Sequence, residues 1–322
     1  MDYLITIAGL ALLLAGGEGM VRGALGIARR ARLSPMVIGL TIVGFGTSAP
    51  ELVVSVDASL SGIPGLAVGN VIGSNIANMM LIVGTAAIIA PLAVHRSVLI
   101  RDSAVMVGAT LLFVAIALSG TAVWQHGMVM LIALAFYLTY SLWADRRRTT
   151  GPAQLHSEEA EDAPVGLPDN LGLLILATLI GLAALIAGSR LAVMGASAIA
   201  RDYGVSEELI GLTLVAVGTS LPELATAIVA ARRGHDDVCI GNIIGSSIFN
   251  LLAITGAAAI AAPLPFSPEI MSFDIWALLA VTIILVGVML TGRKITRIEG
   301  LVLLILYIVY IGAHFRGLSF TI

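Results

Sequence analysis

The sequence predicts an all-α membrane protein: ten transmembrane helices arranged as two inverted five-helix repeats, with broken helices at the centre. Three observations predict it. First, 58% of the 322 residues are hydrophobic and only 11% charged, where soluble domains carry about 25% charged residues. The apolar residues gather in many separate runs near ~20 residues, the length of a membrane-crossing helix. Second, the chain is internally duplicated. "GFGTSAPEL" at 44–52 returns as "AVGTSLPEL" at 216–224, and "GNVIGSNIAN" at 69–78 returns as "GNIIGSSIFN" at 241–250. The offset is always 172 residues, segments 39–92 and 211–264 align without a gap, and about half their positions are identical. Third, basic residues fall in alternate connections, which fixes how the spans are threaded.

The first apolar run, "MDYLITIAGLALLLAGGEGM", has no basic segment ahead of it and reads as a retained helix, not a cleaved signal. Residues 1–143 then hold spans near 3–27, 36–59, 66–90, 98–118 and 122–143. Residues 170–322 hold spans near 170–200, 207–231, 238–261, 273–291 and 298–315. Between them, 144–169 form a polar linker whose "SEEAED" cluster reads as a solvated connection. Connections after the odd-numbered spans carry Arg29, Arg30, Arg32, Arg96, Arg101, Arg146, Arg147, Arg148, Arg232, Arg233, Arg293, Lys294 and Arg297. The other side carries Arg201 and Arg316. The bias puts the linker in the cytoplasm of a cell (inner or plasma) membrane and both termini outside. Five spans per repeat is an odd number, so the second copy enters from the opposite side, as in many secondary transporters.

The duplicated motifs put chemistry inside these spans. Pro50 has no N–H for the carbonyl of Gly46 and its ring crowds that turn, so the helix breaks and frees backbone oxygens at depth. Thr47, Ser48 and Glu51 add two hydroxyls and a carboxylate within about a turn. Around Pro222 the same set recurs as Thr219, Ser220 and Glu223. In the partner motif Ser74 and Asn78 are four apart and share a helix face, as do Ser246 and Asn250. Gly69 with Gly73, and Gly241 with Gly245, are small residues that admit a close neighbour. A set of carboxylates, hydroxyls, amides and carbonyls suits a hard cation such as Ca2+ or Na+. The single cysteine, Cys239, excludes an internal disulfide, and with no histidine in the set zinc, copper and nickel are not expected. No nucleotide-binding loop is present, so ATP-driven pumping has no support.

These motifs resemble the alpha repeats of the cation/Ca2+ exchanger superfamily, the sodium/calcium exchanger membrane family, and most of all its compact prokaryotic YrbG-like Ca2+/Na+ antiporters. The resemblance covers both repeats and implies export of Ca2+ in exchange for Na+ by alternating access. Carried over by motif position, the Ca2+ carboxylates fall on Glu51 and Glu223. The hydroxyl ligands fall on Thr47, Ser48, Ser74, Thr219, Ser220 and Ser246, sodium-binding backbone carbonyls on Gly44 and Ala216, and the central polar pair on Asn78 and Asn250. It also implies that the first span of each repeat slides as a gate. Two departures stand out. Ala49 replaces the family's leucine, and both Asn78 and Asn250 are amides where many sodium/calcium exchangers place one aspartate. The site thus carries a formal charge of −2, matched by one Ca2+, and K+ cotransport is not expected.

The expected partners are therefore Ca2+, Na+ and the lipid bilayer, with no cofactor, no nucleic acid and no obligate protein partner. A Ca2+/H+ exchanger using the same carboxylates stays open as the alternative. A passive channel and an intramembrane hydrolase are remote: Ser48 or Ser220 as nucleophile would need a base, and no mid-span histidine or lysine supplies one. Outside the motifs, Glu18 and Arg22 have the spacing of an intrahelical ion pair. Arg190 matches Glu18 in the repeat, so a pair between repeats is the second option. Asp57 lies off the Glu51 face and reads as a vestibule or surface residue.

Overall fold

The computed structural model describes residues 1–95, 98–148, 168, 170–204 and 216–315. Its helices are α1 (Asp2–Ala31), α2 (Pro35–Thr47), α3 (Ala49–Leu60), α4 (Pro64–Ile89), α5 (Ile100–Ala117), α6 (Trp124–Arg148), α7 (Leu171–Asp202), α8 (Ala216–Thr219), α9 (Leu221–Arg232), α10 (Asp236–Ala261), α11 (Ile270–Leu290) and α12 (Arg297–Phe315). Every predicted span meets a helix. Among the described residues seven helices are long and apolar enough to cross a membrane, and α2 with α3 makes an eighth as one broken span. Span 207–231 is described only from Ala216 onward, and of the polar linker 144–169 only residues 144–148, which continue α6, and 168 are described.

The helical expectation missed four strands of two residues each: β1 (Leu92–Ala93), β2 (Thr121–Ala122), β3 (Leu264–Pro265) and β4 (Lys294–Ile295). β1 pairs antiparallel with β4, and β2 with β3. Each pairing joins the end of one repeat's third span to the turn before the other repeat's fifth. So short an element carries no readable alternation in sequence.

The chain forms two compact units, and each takes elements from both repeats: one comprises Met1–Ser48 and Leu138–Asn242, the other Ala49–Tyr137 and Ile243–Ile322. In the first, α1 and α7 pack antiparallel through a glycine ladder. Gly9, Gly16 and Gly23 recur every seven residues in α1, and Gly181, Gly188 and Gly195 do so in α7. A Cβ on Gly9 would lie 2.4 Å from the Ala192 nitrogen, one on Gly16 2.7 Å from that of Leu185, and one on Gly188 2.7 Å from that of Leu13. Backbone meets backbone, which only glycine allows. Gly17 faces α9 instead, with its nearest atom the Ala225 carbonyl oxygen. Gly16→Val should therefore lower thermal stability in detergent by about 1–3 kcal/mol. Gly108→Val in α5, where a Cβ would meet nothing within 4 Å among the described residues, should lose nothing. Equal melting of the two variants would refute the ladder.

The same register settles the partner of Glu18. Gly9 lies beside Gly188 and Gly16 beside Gly181, so Glu18 is level with Leu179, and Arg190 is eleven residues further along, about 16 Å at the helical rise. Glu18 instead accepts from Arg22 at 2.5 Å, the pair its spacing predicts, and from Arg233 beyond the end of α9 at 2.8 Å. The two guanidinium groups offset the cost of placing that carboxylate in an apolar helix. His235, two residues on, is half-buried. Burial, and then the charges of Arg233 and Arg29, hold its imidazole below the ordinary value, so it adds no charge to this connection near neutral pH.

In the second unit α4 and the greater part of α10 are the central helices. Two repeat-equivalent aspartates anchor the outer spans. Asp102, fully buried, accepts from the Tyr137 hydroxyl at 3.1 Å and from Arg101, and Asp274 accepts from the Tyr310 hydroxyl at 3.0 Å. Each aspartate closes a π-helical turn at the start of its span. Thr110 and Thr282, also repeat-equivalent, meet each other at 3.3 Å, as residues astride a pseudo-two-fold axis do.

Candidate ion-binding site

The break in the second span is sharper than a proline kink. Helix α2 stops at Thr47, Ser48 leaves the helical well with φ −82° and ψ 6°, and α3 restarts at Ala49, bent by 46°. Ser220 repeats it at φ −90° and ψ 5°. Pro50 and Pro222 thus stand in the first turn of a new helix, where a missing N–H costs nothing. Glu51 and Glu223 occupy the first turns of α3 and α9, where the positive end of the helix dipole favours a carboxylate. Both are fully buried.

The first unit brings together residues from both repeats. Ser48 Oγ donates to Glu223 Oε1 at 2.9 Å, and Thr47 Oγ1 donates to Asn242 Oδ1 at 3.2 Å. Thr47 Oγ1 also lies 3.1 Å from the Val43 carbonyl and 3.4 Å from that of Gly44. Gly44 is buried, and its carbonyl accepts from the Ser48 amide at 3.2 Å. Ser220 is buried and Thr219 half-buried. Ala216 begins α8. Among the described residues, Glu223 Oε2 and Asn242 Nδ2 are buried without a hydrogen bond.

In the second unit Asn250 Nδ2 donates to Ser74 Oγ at 3.0 Å, again across the repeats. Asn78, Ser246 and Glu51 are buried, and Asn250 Oδ1 and both amide atoms of Asn78 have no hydrogen-bond partner among the described residues. Asn70 Nδ2 donates to the Glu51 carbonyl at 3.2 Å and to Ser55 Oγ at 2.9 Å, fastening α4 to the first turns of α3. Asn78 lies in a π-helical turn, Ala77–Ile82, and Asn250 opens another, Asn250–Ile254. Such turns are frequent at functional sites. Asp57 is exposed on α3, away from buried Glu51 and Ser55.

Buried polar atoms in proteins nearly all have partners. Among the described residues, most of the exceptions fall on the two copies of the duplicated motif. The sequence reading missed Asn70 and Asn242, although both copies of the motif carry them one helical turn before Ser74 and Ser246. It also missed the π-helical turns. Gly241 behaves as expected, its Cβ position lying 2.7 Å from the Met36 carbonyl in α2. Gly69 and Gly73 face nothing within 4 Å among the described residues. Gly211, the repeat equivalent of Gly39, lies outside those residues.

The family model for the sodium/calcium exchanger protein matches residues 1–143 and 173–315. The chain belongs to the sodium/calcium exchanger family. It is 35% identical to the inner membrane protein YrbG of Escherichia coli over 89% of this chain and 93% of that one. It is 32% identical to the sodium/calcium exchanger MaX1 of Methanosarcina acetivorans over 97% of each. Among solved structures, it matches the sodium-calcium exchanger NCX_Mj soaked with 2.5 mM Na+ and 0.1 mM Ca2+ with a TM-score of 0.83 and 30% identity, covering 97% of this chain and 98% of that one. This exchanger-family chain therefore has an all-α, multi-pass membrane fold of two inverted five-helix repeats with broken central helices. It is a secondary transporter and not an enzyme.

Proposed function

We propose that this exchanger moves Ca2+ out of the cell against an inward flow of Na+ by alternating access, both ions using one set of oxygens in turn. Ca2+ takes Glu51 and Glu223 as its carboxylates. Thr47, Ser48, Ser74, Thr219, Ser220 and Ser246 give hydroxyl oxygens, Gly44 and Ala216 give carbonyls that suit Na+, and Asn78 and Asn250 give amides. The observation that carries the reading is the Ser48 to Glu223 bond at 2.9 Å. It links the two copies of the broken-helix motif at a buried carboxylate whose other oxygen has no hydrogen bond among the described residues. A buried carboxylate without a cationic side chain beside it is costly unless a cation joins it.

The repeats occupy 1–143 and 170–322. The linker 144–169 faces the cytoplasm and both termini face outside the cell membrane, as the basic connections favour. Purified protein in Ca2+-loaded liposomes tests the transport reading. Ca2+ release should follow an imposed Na+ gradient and stop without it. Release that ignores Na+ and follows a pH gradient would make the protein a Ca2+/H+ exchanger, and release without any counter-ion would make it a channel.

A further inference from the structure

We propose that Ser189 is a positioning residue for the second-repeat half of the transport site. Its hydroxyl donates to the Gly218 carbonyl, which Pro222 leaves without its helical partner, and so fastens α7 to the break beside Thr219 and Ser220. The proposal rests on the transport reading above and deepens it. In an unbroken helix the carbonyl of Gly218 would accept from the amide of residue 222. Proline has no such N–H. Gly218 is buried, so its oxygen needs a donor from elsewhere. Ser189 Oγ supplies one at 2.5 Å. Hydroxyls on helices often bond back to the carbonyl four residues earlier. Thr178 does so to Leu174 on α7 itself, and Thr226 to Pro222 on α9. Ser189 reaches across to another helix instead.

Two further observations set this contact apart from ordinary packing. One turn along α7, Val193 lies against Gly218, where a Cβ would run into the valine Cγ2. Helix α7 thus holds the end of α8 by a hydrogen bond and a side-chain contact four residues apart on one face. The matching position of α1 is Gly17, which has no hydroxyl and lets α1 approach the Ala225 carbonyl of α9. The serine is therefore particular to the second copy and not a demand of the duplicated frame. What it orients comes next in the chain: Thr219 and Ser220, whose hydroxyls the transport reading gives to the cation. A doubly charged ion draws most of its binding from the carboxylates. A monovalent ion gains about half as much from each charge and depends more on neutral oxygens. Loss of the Ser189 hydroxyl should therefore weaken Na+ more than Ca2+.

The test measures the Na+ and Ca2+ dependence of exchange in liposomes for wild type, Ser189→Ala, Ser189→Thr, Thr219→Ala and the Ser189→Ala/Thr219→Ala pair. Ser197→Ala, the same change two turns further along α7, is the control and should leave both values unchanged. Ser189→Ala should raise the KM for Na+ roughly three- to tenfold, the size of one lost buried hydrogen bond, and the KM for Ca2+ less than about twofold. Ser189→Thr keeps the donor and should stay near wild type. The loss caused by Ser189→Ala should shrink in the Thr219→Ala background, because the oxygen it positions is already gone. A purely structural serine would cost the same in both backgrounds. An unchanged KM for Na+ in Ser189→Ala, an equal loss for both ions, an equal loss in Ser197→Ala, full additivity, or no rescue by Ser189→Thr would each overturn the proposal. Should Thr219→Ala transport too little for a KM, Ser189→Ala and Ser189→Thr decide by the same criteria. A wild type whose Ca2+ flux ignores Na+ would instead overturn the transport reading itself.

Discussion

Glu223→Gln should abolish Ca2+ transport while leaving the protein folded and inserted. The substitution separates charge from shape. Glutamine keeps an oxygen where Oε1 accepts from Ser48 Oγ at 2.9 Å, so the link between the two motif copies survives. At the Oε2 position, which makes no hydrogen bond among the described residues, it places an N–H2 that repels a cation. Ca2+ then loses one of two carboxylates and meets a misdirected dipole. At a buried site each effect is worth several kcal/mol, so Ca2+ flux should fall by roughly a hundredfold or more. The stability change should have the opposite sign. A fully buried carboxylate costs desolvation that a neutral amide does not, so the variant should melt at the wild-type temperature or above it. Radiolabelled Ca2+ flux beside a thermal melt in detergent reads both quantities. Wild-type flux in Glu223→Gln would remove this carboxylate from the site, and a large drop in melting temperature would make it a structural residue.

The parts of this molecule that the sequence exposes are those where physics leaves few choices. A charge and a proline inside a 20-residue apolar run need an explanation, and a copy at a fixed offset says that both copies share it. Hence the ten spans and the inversion could be read without coordinates, and Glu51 and Glu223 could be singled out as carboxylates inside the spans, where the structure buries both. The break itself was legible only as a kink; its placement at Ser48 and Ser220, with each proline moved into the first turn of a new helix, depends on backbone angles. Asn242 escaped because what singles it out is a contact with Thr47 on another helix, and an asparagine beside a glycine looks like any small polar residue in a close-packed span. The Glu18 pairing shows a different limit. Repeat symmetry put Arg190 opposite Glu18, but the glycine ladder fixes a register that sets them about 16 Å apart along the helix, and Arg233, in a connection, takes its place.

Asn250→Asp should tighten Ca2+ binding and steepen the dependence on Na+. Asn250 Nδ2 donates to Ser74 Oγ at 3.0 Å, and Ser74 Oγ in turn lies 3.2 Å from the Val71 carbonyl. In the aspartate variant the donor becomes an acceptor, and the serine hydroxyl can turn from Val71 to donate to it. The bond reverses direction and survives. What changes is charge: the formal −2 of the two glutamates becomes −3. One Ca2+ neutralises the wild-type set and leaves the variant with a net negative charge that holds the ion more strongly. At a few ångströms and an effective dielectric of about 20, the added attraction amounts to several kcal/mol before desolvation is subtracted. The KM for Ca2+ should therefore fall by roughly ten- to a hundredfold. Turnover should slow with it, because an ion that is held too well leaves slowly. The same charge lets a third monovalent cation bind without leaving the set positive, so the Hill slope for Na+ should rise. Unchanged values of both the KM and the slope would show that Asn250 does not face the ion. A changed KM with an unchanged slope would mean that the two asparagines set affinity alone, and that the number of Na+ ions exchanged is fixed by the carbonyl and hydroxyl oxygens around Gly44 and Thr47.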